Sequence, residues 1–430
     1  MPLRPGREAA PLPSLAAACR VWLTFGRVSF GGAAAQLALL HRLVVLERRW
    51  VSEERFALGL ALSLLLPGPE AHKLATWLGF CLHGVVGGLA AGLLFLLPGA
   101  LASAWLGLLY VANIGTPAVS ALFFGLRGAV LAILAHAVVT LARRVLRGRR
   151  AVALAGAAFG AAFLFGVPPP AAVLAAAAVG LATGQDGAMR RETWSLGPAP
   201  AQARAAAAAG IGLFLLWAAI VVSALRTGGV GAAIIAFFAK VSVFAFGGAY
   251  TILAWVAEEA VAWRVWFSAA DLIDGLALAE TTPGPTLLVL QFLAVVAGAR
   301  EGGIGHGTGL GFIAVAVLFL PSFALLFLAV PFGDRLAASG RARAGLASIS
   351  AATVGLIASL GATFALAVLF RGVAWIGFGP LRLPLPGAPD WAAVAVGALG
   401  FVALFALRLR VVGTLAACAV AGMLIRSFAP

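Results

Sequence analysis

Charge is scarce in this chain. Asp, Glu, Lys and Arg make up 10% of its 430 residues, against 63% hydrophobic. A soluble protein of this size carries about a quarter of its residues as charges, so a soluble fold is excluded. Cysteine is as sparse: Cys19, Cys81 and Cys418 lie far apart, in or beside apolar sequence. An odd, scattered set supplies neither a disulfide framework nor a CxxC metal site. Lysine is almost missing, with Lys73 and Lys240 against 28 arginines. HExxH, a Walker loop and a GxGxxG after a strand are all lacking. Nothing therefore points to a metal hydrolase or an ATP-driven pump, and no cofactor or metal is expected.

What fills the chain is a series of apolar stretches, each near the roughly 20 residues that cross a bilayer. They are continuously apolar rather than alternating, which disfavours a β-barrel. The expected fold class is an all-α polytopic membrane protein, with about 13 transmembrane helices. The net charge is +15, and most arginine sits in short clusters between the apolar stretches. That pattern fits anionic lipid and the positive-inside rule better than nucleic acid. The densest cluster is Arg143, Arg144, Arg147, Arg149 and Arg150. Others lie at 190–204, 335–343 and 408–410. Counting crossings from a cytoplasmic N-terminus puts all four on the cytoplasmic side. The same count places the charged stretch from Arg42 to Arg55 outside, as an interfacial amphipathic helix. The first 14 residues read as a cytoplasmic tail with no cleavable signal.

The chain also repeats itself. Phe30-Gly31-Gly32, Trp50 and Pro67-Gly68-Pro69 recur 216 positions later as Phe246-Gly247-Gly248, Trp266 and Pro283-Gly284-Pro285, without a gap. Arg48 and Ser52 match Arg264 and Ser268 at the same offset. Beyond this core, a shift of seven residues aligns Leu97-Pro98 with Leu320-Pro321 and His83 with His306. A duplicated, helix-breaking motif in a membrane protein points to a transporter built from two halves. Counted by crossings, the second half starts outside, so the halves are expected to be inverted. The expected division is a tail at 1–14, a first repeat at 15–184, a linker at 185–206 and a second repeat at 207–430.

Each Pro-Gly-Pro removes backbone donors inside a membrane segment, and lipid cannot replace the lost partners. A broken helix solves this by facing protein or a polar cavity. Its half-helix N-terminus then offers N–H groups and a positive dipole end to an anion. A plain kink is the bland alternative for one copy; two matched copies argue against it. Phe-Gly-Gly permits close backbone approach, although by itself it is ordinary among 53 glycines. Ionisable groups in apolar segments are costly and point to function. Lys73, Lys240 and Arg27 are candidates for binding an anion, and Glu280 and Glu70 for coupling to protons. The competing readings are snorkelling side chains and a static Glu70–Lys73 pair. Imidazole in general titrates near physiological pH, which makes His72, His83 and His306 proton-relay candidates, although a lone histidine on a helix is more often structural.

These residues resemble the chromate ion transporter family. The likeness lies in "VSFGGAAAQLALLHRLVVLERRWVSEERF", "LLPGPEAHKLATWLGF" and "GGLAAGLLFLLPG" in the first half. In the second half it lies in "FFAKVSVFAFGGAYTILAWVAEEAV" and "DGLALAETTPGPTLLVLQF". It covers nearly the whole chain apart from the tail and linker. The resemblance implies a two-domain member that exports chromate from the cytoplasm of a bacterial-type cell, driven by the proton motive force, with sulfate as chemical look-alike. The chain departs from the family pattern at Ala33, where Pro is usual, and at Thr24, where a Lys would match Lys240. His72 and Lys73 replace a common Gln pair. The expected partners are a tetrahedral oxyanion, protons and the bilayer. A membrane-embedded enzyme would need a nucleophile–base pair or metal ligands at depth, and none stands out. A scaffold without transport would leave the intramembrane charges unexplained.

Overall fold

The computed structural model describes residues 12–184 and 200–428, apart from residues 245, 247, 265 and 334–338. Most of the N-terminal tail, Arg190 and Arg191 of the linker, Gly247, and Asp334 and Arg335 of a basic loop lie outside the described residues. The described chain is helical except for one antiparallel hairpin, β1 (Val373–Phe378) and β2 (Leu381–Pro386), in which Val373 faces Pro386. Six helices are long and apolar enough to cross a membrane. They are α4 (Glu70–Asn113), α5 (Pro117–Val145), α8 (Pro200–Thr227), α12 (Val289–Ala329), α13 (Gly340–Leu369) and α15 (Val411–Phe428). The protein is therefore a multi-pass helical membrane protein.

The six fall short of the about 13 crossings expected from hydropathy alone. The expected first crossing is two pieces, α1 (Leu15–Val28) and α2 (Gly32–His41). At 1.5 Å per residue, α1 reaches only about two-thirds of the way across a bilayer core. Its counterpart is likewise split into α9 (Gly229–Val243) and α10 (Ala249–Val256). The remaining short helices are α3 (Glu53–Leu65), α6 (Arg149–Phe165), α7 (Pro169–Thr183), α11 (Ala269–Thr281) and α14 (Trp391–Phe401).

The two longest helices are each bent back on themselves. In α4 the helical geometry fails at His83 and Gly84, and in α12 at Gly302 and Gly303. Gly79 then packs on the backbone of Gly87, and Gly298 on Gly307, contacts that no straight helix makes. The turn positions lie 219 residues apart. The proposed match of His83 with His306 is therefore inexact: His83 occupies its turn, whereas His306 sits four residues past the equivalent position, Gly302.

The helix before each Pro-Gly-Pro also runs back along the helix after it. Trp77 Nε1 donates to the Arg55 carbonyl at 3.1 Å, and Gly59 lies flat against the Trp77 ring. In the second half, Gly275 receives Phe292 in the same way. Each Pro-Gly-Pro is thus the tip of a helical hairpin. The expectation of a break midway along one crossing helix is corrected: Pro-fixed φ angles and a central Gly suit a reversal better than a kink.

The repeat's distinctive matches each have a structural use. Ser52 and Ser268 cap α3 and α11, accepting from Arg55 N and Asp271 N. Arg48 stacks over Trp50 at 5.6 Å, and Arg264 over Trp266 at 5.2 Å. Gly68 and Gly284 adopt φ of +105° and +103°, which only glycine takes without strain.

The second limb of α4 crosses the second limb of α12 in antiparallel fashion, Gly88 against Phe327 and Gly92 against Phe323. The base of the first half is fixed by two contacts. His83 Nε2 meets the Pro13 carbonyl at 2.8 Å, and His41 meets Glu53 at 2.9 Å. The Arg42–Arg55 segment is therefore level with the start of α1 and not at the opposite end of the bundle. Its residues 42–47 form a π turn rather than a separate amphipathic helix.

Candidate functional site

The two tips are seated in the opposite half. Gly284 N–H donates to the Ser29 carbonyl at 3.2 Å and to Ser29 Oγ at 3.1 Å. Its own carbonyl accepts from Gln36 Nε2 at 2.7 Å. Ser29 and Gln36 are buried and flank Phe30-Gly31-Gly32, where Gly31 turns left-handed to start α2. The first Phe-Gly-Gly thus frames the second Pro-Gly-Pro. Pro283 also packs its carbonyl on Gly99 of α4, where any side chain would collide with it. The first tip is placed reciprocally: a Cβ on Gly68 would stand 2.9 Å from Ser322 Oγ, beside Pro321 of α12.

Each tip opens a helix with unused donors. Lys73 N–H is the first in α4 to find a backbone carbonyl, that of Pro69. Among the described residues the N–H groups of Glu70, Ala71 and His72 have no protein acceptor. Pro67 and Gly68 are buried, and Pro69 half-buried. In the second half Gly284 and Pro285 are buried, but the Gly284 N–H is already spent on Ser29, so free donors there begin at Thr286.

The ionisable candidates divide sharply. Lys73 is buried, and its hydrogen bond goes to the Leu66 carbonyl just before the first tip. Glu70 is half-buried and interacts electrostatically with Lys73, without a direct ion-pair contact among the described residues. His72 is buried against Phe319 and Phe323, with Nδ1 3.2 Å from Ser322 Oγ and Nε2 unpartnered. Glu280 is buried and accepts from Tyr250 Oη at 2.8 Å. Arg27 and Lys240 are exposed and join neither tip. Phe30 is exposed, Phe246 half-buried, and Gly248 caps α10 with φ +91°.

One cluster escaped the sequence reading. Asp271 and Asp274 of α11 are both buried. Arg300 grips Asp271 with two hydrogen bonds of 2.7 and 2.8 Å, and Arg127 grips Asp274 with two of the same lengths. Tyr110 Oη lies 3.0 Å from both carboxylates and has one proton to share between them. The cluster ties the base of the second hairpin to α4, α5 and α12. A signal was available: the chain has two tyrosines, and both donate to buried carboxylates.

Paired helical hairpins whose tips cross into opposite halves of a multi-pass bundle, with a buried lysine beside one of them, define a membrane transport protein. Comparison with known sequences gives the family. The chain belongs to the chromate transporter family, whose model matches residues 16–181 and 232–423. It is 33% identical to the chromate transport protein of Pseudomonas aeruginosa over 349 residues, 78% of this chain and 77% of the relative. An uncharacterized transporter of Methanocaldococcus jannaschii is 28% identical over 81% of this chain and 83% of its own length. The chromate transport protein of Cupriavidus metallidurans is 26% identical over 81% and 82%. No solved structure matches the chain.

Proposed function

We propose that the protein is a secondary transporter that exports a tetrahedral oxyanion, chromate first, across a bacterial-type cytoplasmic membrane by alternating access coupled to protons. The observation that carries the reading is the reciprocal seating of the tips, Pro283–Pro285 on Gly99 and Pro67–Pro69 beside Ser322. Two equivalent sites that share their walls between halves can open and close together as the halves rock. The antiparallel crossing of the equivalent limbs of α4 and α12 supports an inverted arrangement. In that arrangement the hairpins are re-entrant, and the Arg42–Arg55 base lies in the cytoplasm with the other basic loops, as the positive-inside rule asks. Relatives named chromate transport proteins support the cargo.

In this reading the anion is held by the Lys73 ammonium and accepts from the free N–H groups at the start of α4. Arg27 and Lys240, exposed beside the two Phe-Gly-Gly breaks, draw it in. Glu280, held by Tyr250, exchanges the coupling proton, with Glu70 as its counterpart at the first tip. The test is counterflow of labelled chromate and labelled sulfate in proteoliposomes, with and without a pH gradient. Chromate flux that rises with the gradient is expected. Glu280→Gln keeps the tyrosine's acceptor and should leave residual flux that no longer responds to pH. Absence of flux for both anions would remove the proposal.

A further inference from the structure

A separate cavity of about 250 Å³ lies between α5, α11, α15 and the segment joining α13 to α14. Three guanidinium groups line it, those of Arg127, Arg371 and Arg426, with Phe124 and one carboxylate, Asp390. Their charges are unequally compensated. Arg127 is held by Asp274 through Nε and Nη2, which leaves part of its five-donor fork unused. Arg371 Nε stands 4.0 Å from Asp390 Oδ2, at the limit of an ion pair. Asp390 is in part committed elsewhere, because its Oδ1 accepts from Ala392 N and Ala393 N as the cap of α14. Arg426 has no carboxylate partner among the described residues and lies 4.4 Å over the Phe124 ring. The cavity thus holds surplus positive charge and two guanidinium forks, those of Arg371 and Arg426, with no close carboxylate acceptor. Forks of that kind match the oxygen edges of a tetrahedral oxyanion.

We propose that this cavity is a second anion site, taking a small tetrahedral oxyanion. Its position at the outer mouth rests on the inverted arrangement argued above; the site itself does not. Ala269 and Ala270 at the base of α11 line it directly, and Arg127 joins it to the Asp271–Tyr110–Asp274 cluster. That helix carries Glu280 and leads into the second tip. A phosphate group on a lipid headgroup offers the same chemistry as a free oxyanion, and the experiment separates the two.

Equilibrium binding of labelled sulfate is measured on the full-length protein in nanodiscs of phosphatidylcholine. The wild type should show two classes of sites. Arg371→Gln with Arg426→Gln should weaken one class by about tenfold or more, the loss expected for a charge-assisted hydrogen bond. Lys73→Ala should remove the other class and leave this one intact. If the double variant fails to fold, Arg426→Gln alone serves, since that side chain is exposed. Isotherms identical to wild type for the Arg variants would overturn the proposal. A weakened class in the Arg variants, with no effect of Lys73→Ala, would sustain it while sinking the role given to Lys73. Repeating the titration with phosphatidylglycerol present identifies the source: retained sulfate binding assigns the site to a free oxyanion, and loss assigns it to a headgroup phosphate.

Discussion

Asp274 is wholly buried, yet its carboxylate accepts from Arg127 twice and from Tyr110 once. A buried charge survives only when it is paired and hydrogen-bonded, so removing the partner costs more than the pair contributes. Arg127→Gln should therefore destabilise the protein by about 3–5 kcal/mol, read as a fall in the thermal transition of the purified protein in detergent. Arg264→Gln breaks the exposed pair with Glu259 and is the control, with an expected cost of about 1 kcal/mol or less. Lys73 is the opposite case, a buried cation whose partner is a carbonyl. Lys73→Met should leave stability unchanged or raised, because an apolar residue of similar length removes the cost of burying a charge. Transport should nevertheless be lost. A variant that keeps wild-type flux would remove Lys73 from the site.

At the level of elements, the hairpins depend on a few backbone conformations rather than on helix propensity. Gly284 holds φ +103° while its N–H and carbonyl are both bonded to the first half. An alanine there is forced out of its allowed regions at a cost of about 1–3 kcal/mol. Gly284→Ala should therefore insert normally, as judged by gel filtration, yet transport poorly. Gly68→Ala should behave alike, since its φ is +105°. If only one of the two impairs flux, the tips do not act as an equivalent pair. The same elements show what sequence periodicity cannot see. Residues 74–113 contain no Asp, Glu, Lys or Arg, and the reversal at His83–Gly84 depends on Gly79 and Gly87 meeting across the turn. A contact between residues eight positions apart has no counterpart in a 3.6-residue period.

For the whole molecule, the positions of the loops relative to the membrane decide between the crossing count and the hairpin arrangement. With the three native cysteines replaced by serine, single cysteines at Glu47, Arg147 and Gly377 can be probed with an impermeant thiol reagent. Positions 47 and 147 should react from one face, and position 377, in the β-hairpin, from the other. Labelling of positions 47 and 377 from the same face would contradict the inverted arrangement. The two arrangements place Arg42–Arg55 on different faces because hydropathy measures the length of an apolar run, not its direction. That segment holds four arginines against three glutamates, so its own charge favours neither face strongly.

Composition and the repeat by themselves determined that the chain is helical and membrane-embedded, and that two matched breaks mark its important places. Both follow from backbone chemistry: lipid supplies no hydrogen bonds, so apolar runs become helices and Pro-Gly-Pro must be sheltered. The tertiary structure alone decided how the breaks are used. Pairing Gly284 with Ser29 and Gln36 spans about 250 residues, as does bringing Gly68 to Ser322. The joining of Asp271 and Asp274 to Tyr110, Arg127 and Arg300 is of the same kind. Gln36, Tyr110, Arg127 and Arg300 have unremarkable neighbourhoods in the sequence. Their partners are set by the packing of helices from different parts of the chain, and burial raises the energetic stakes of every polar contact made there.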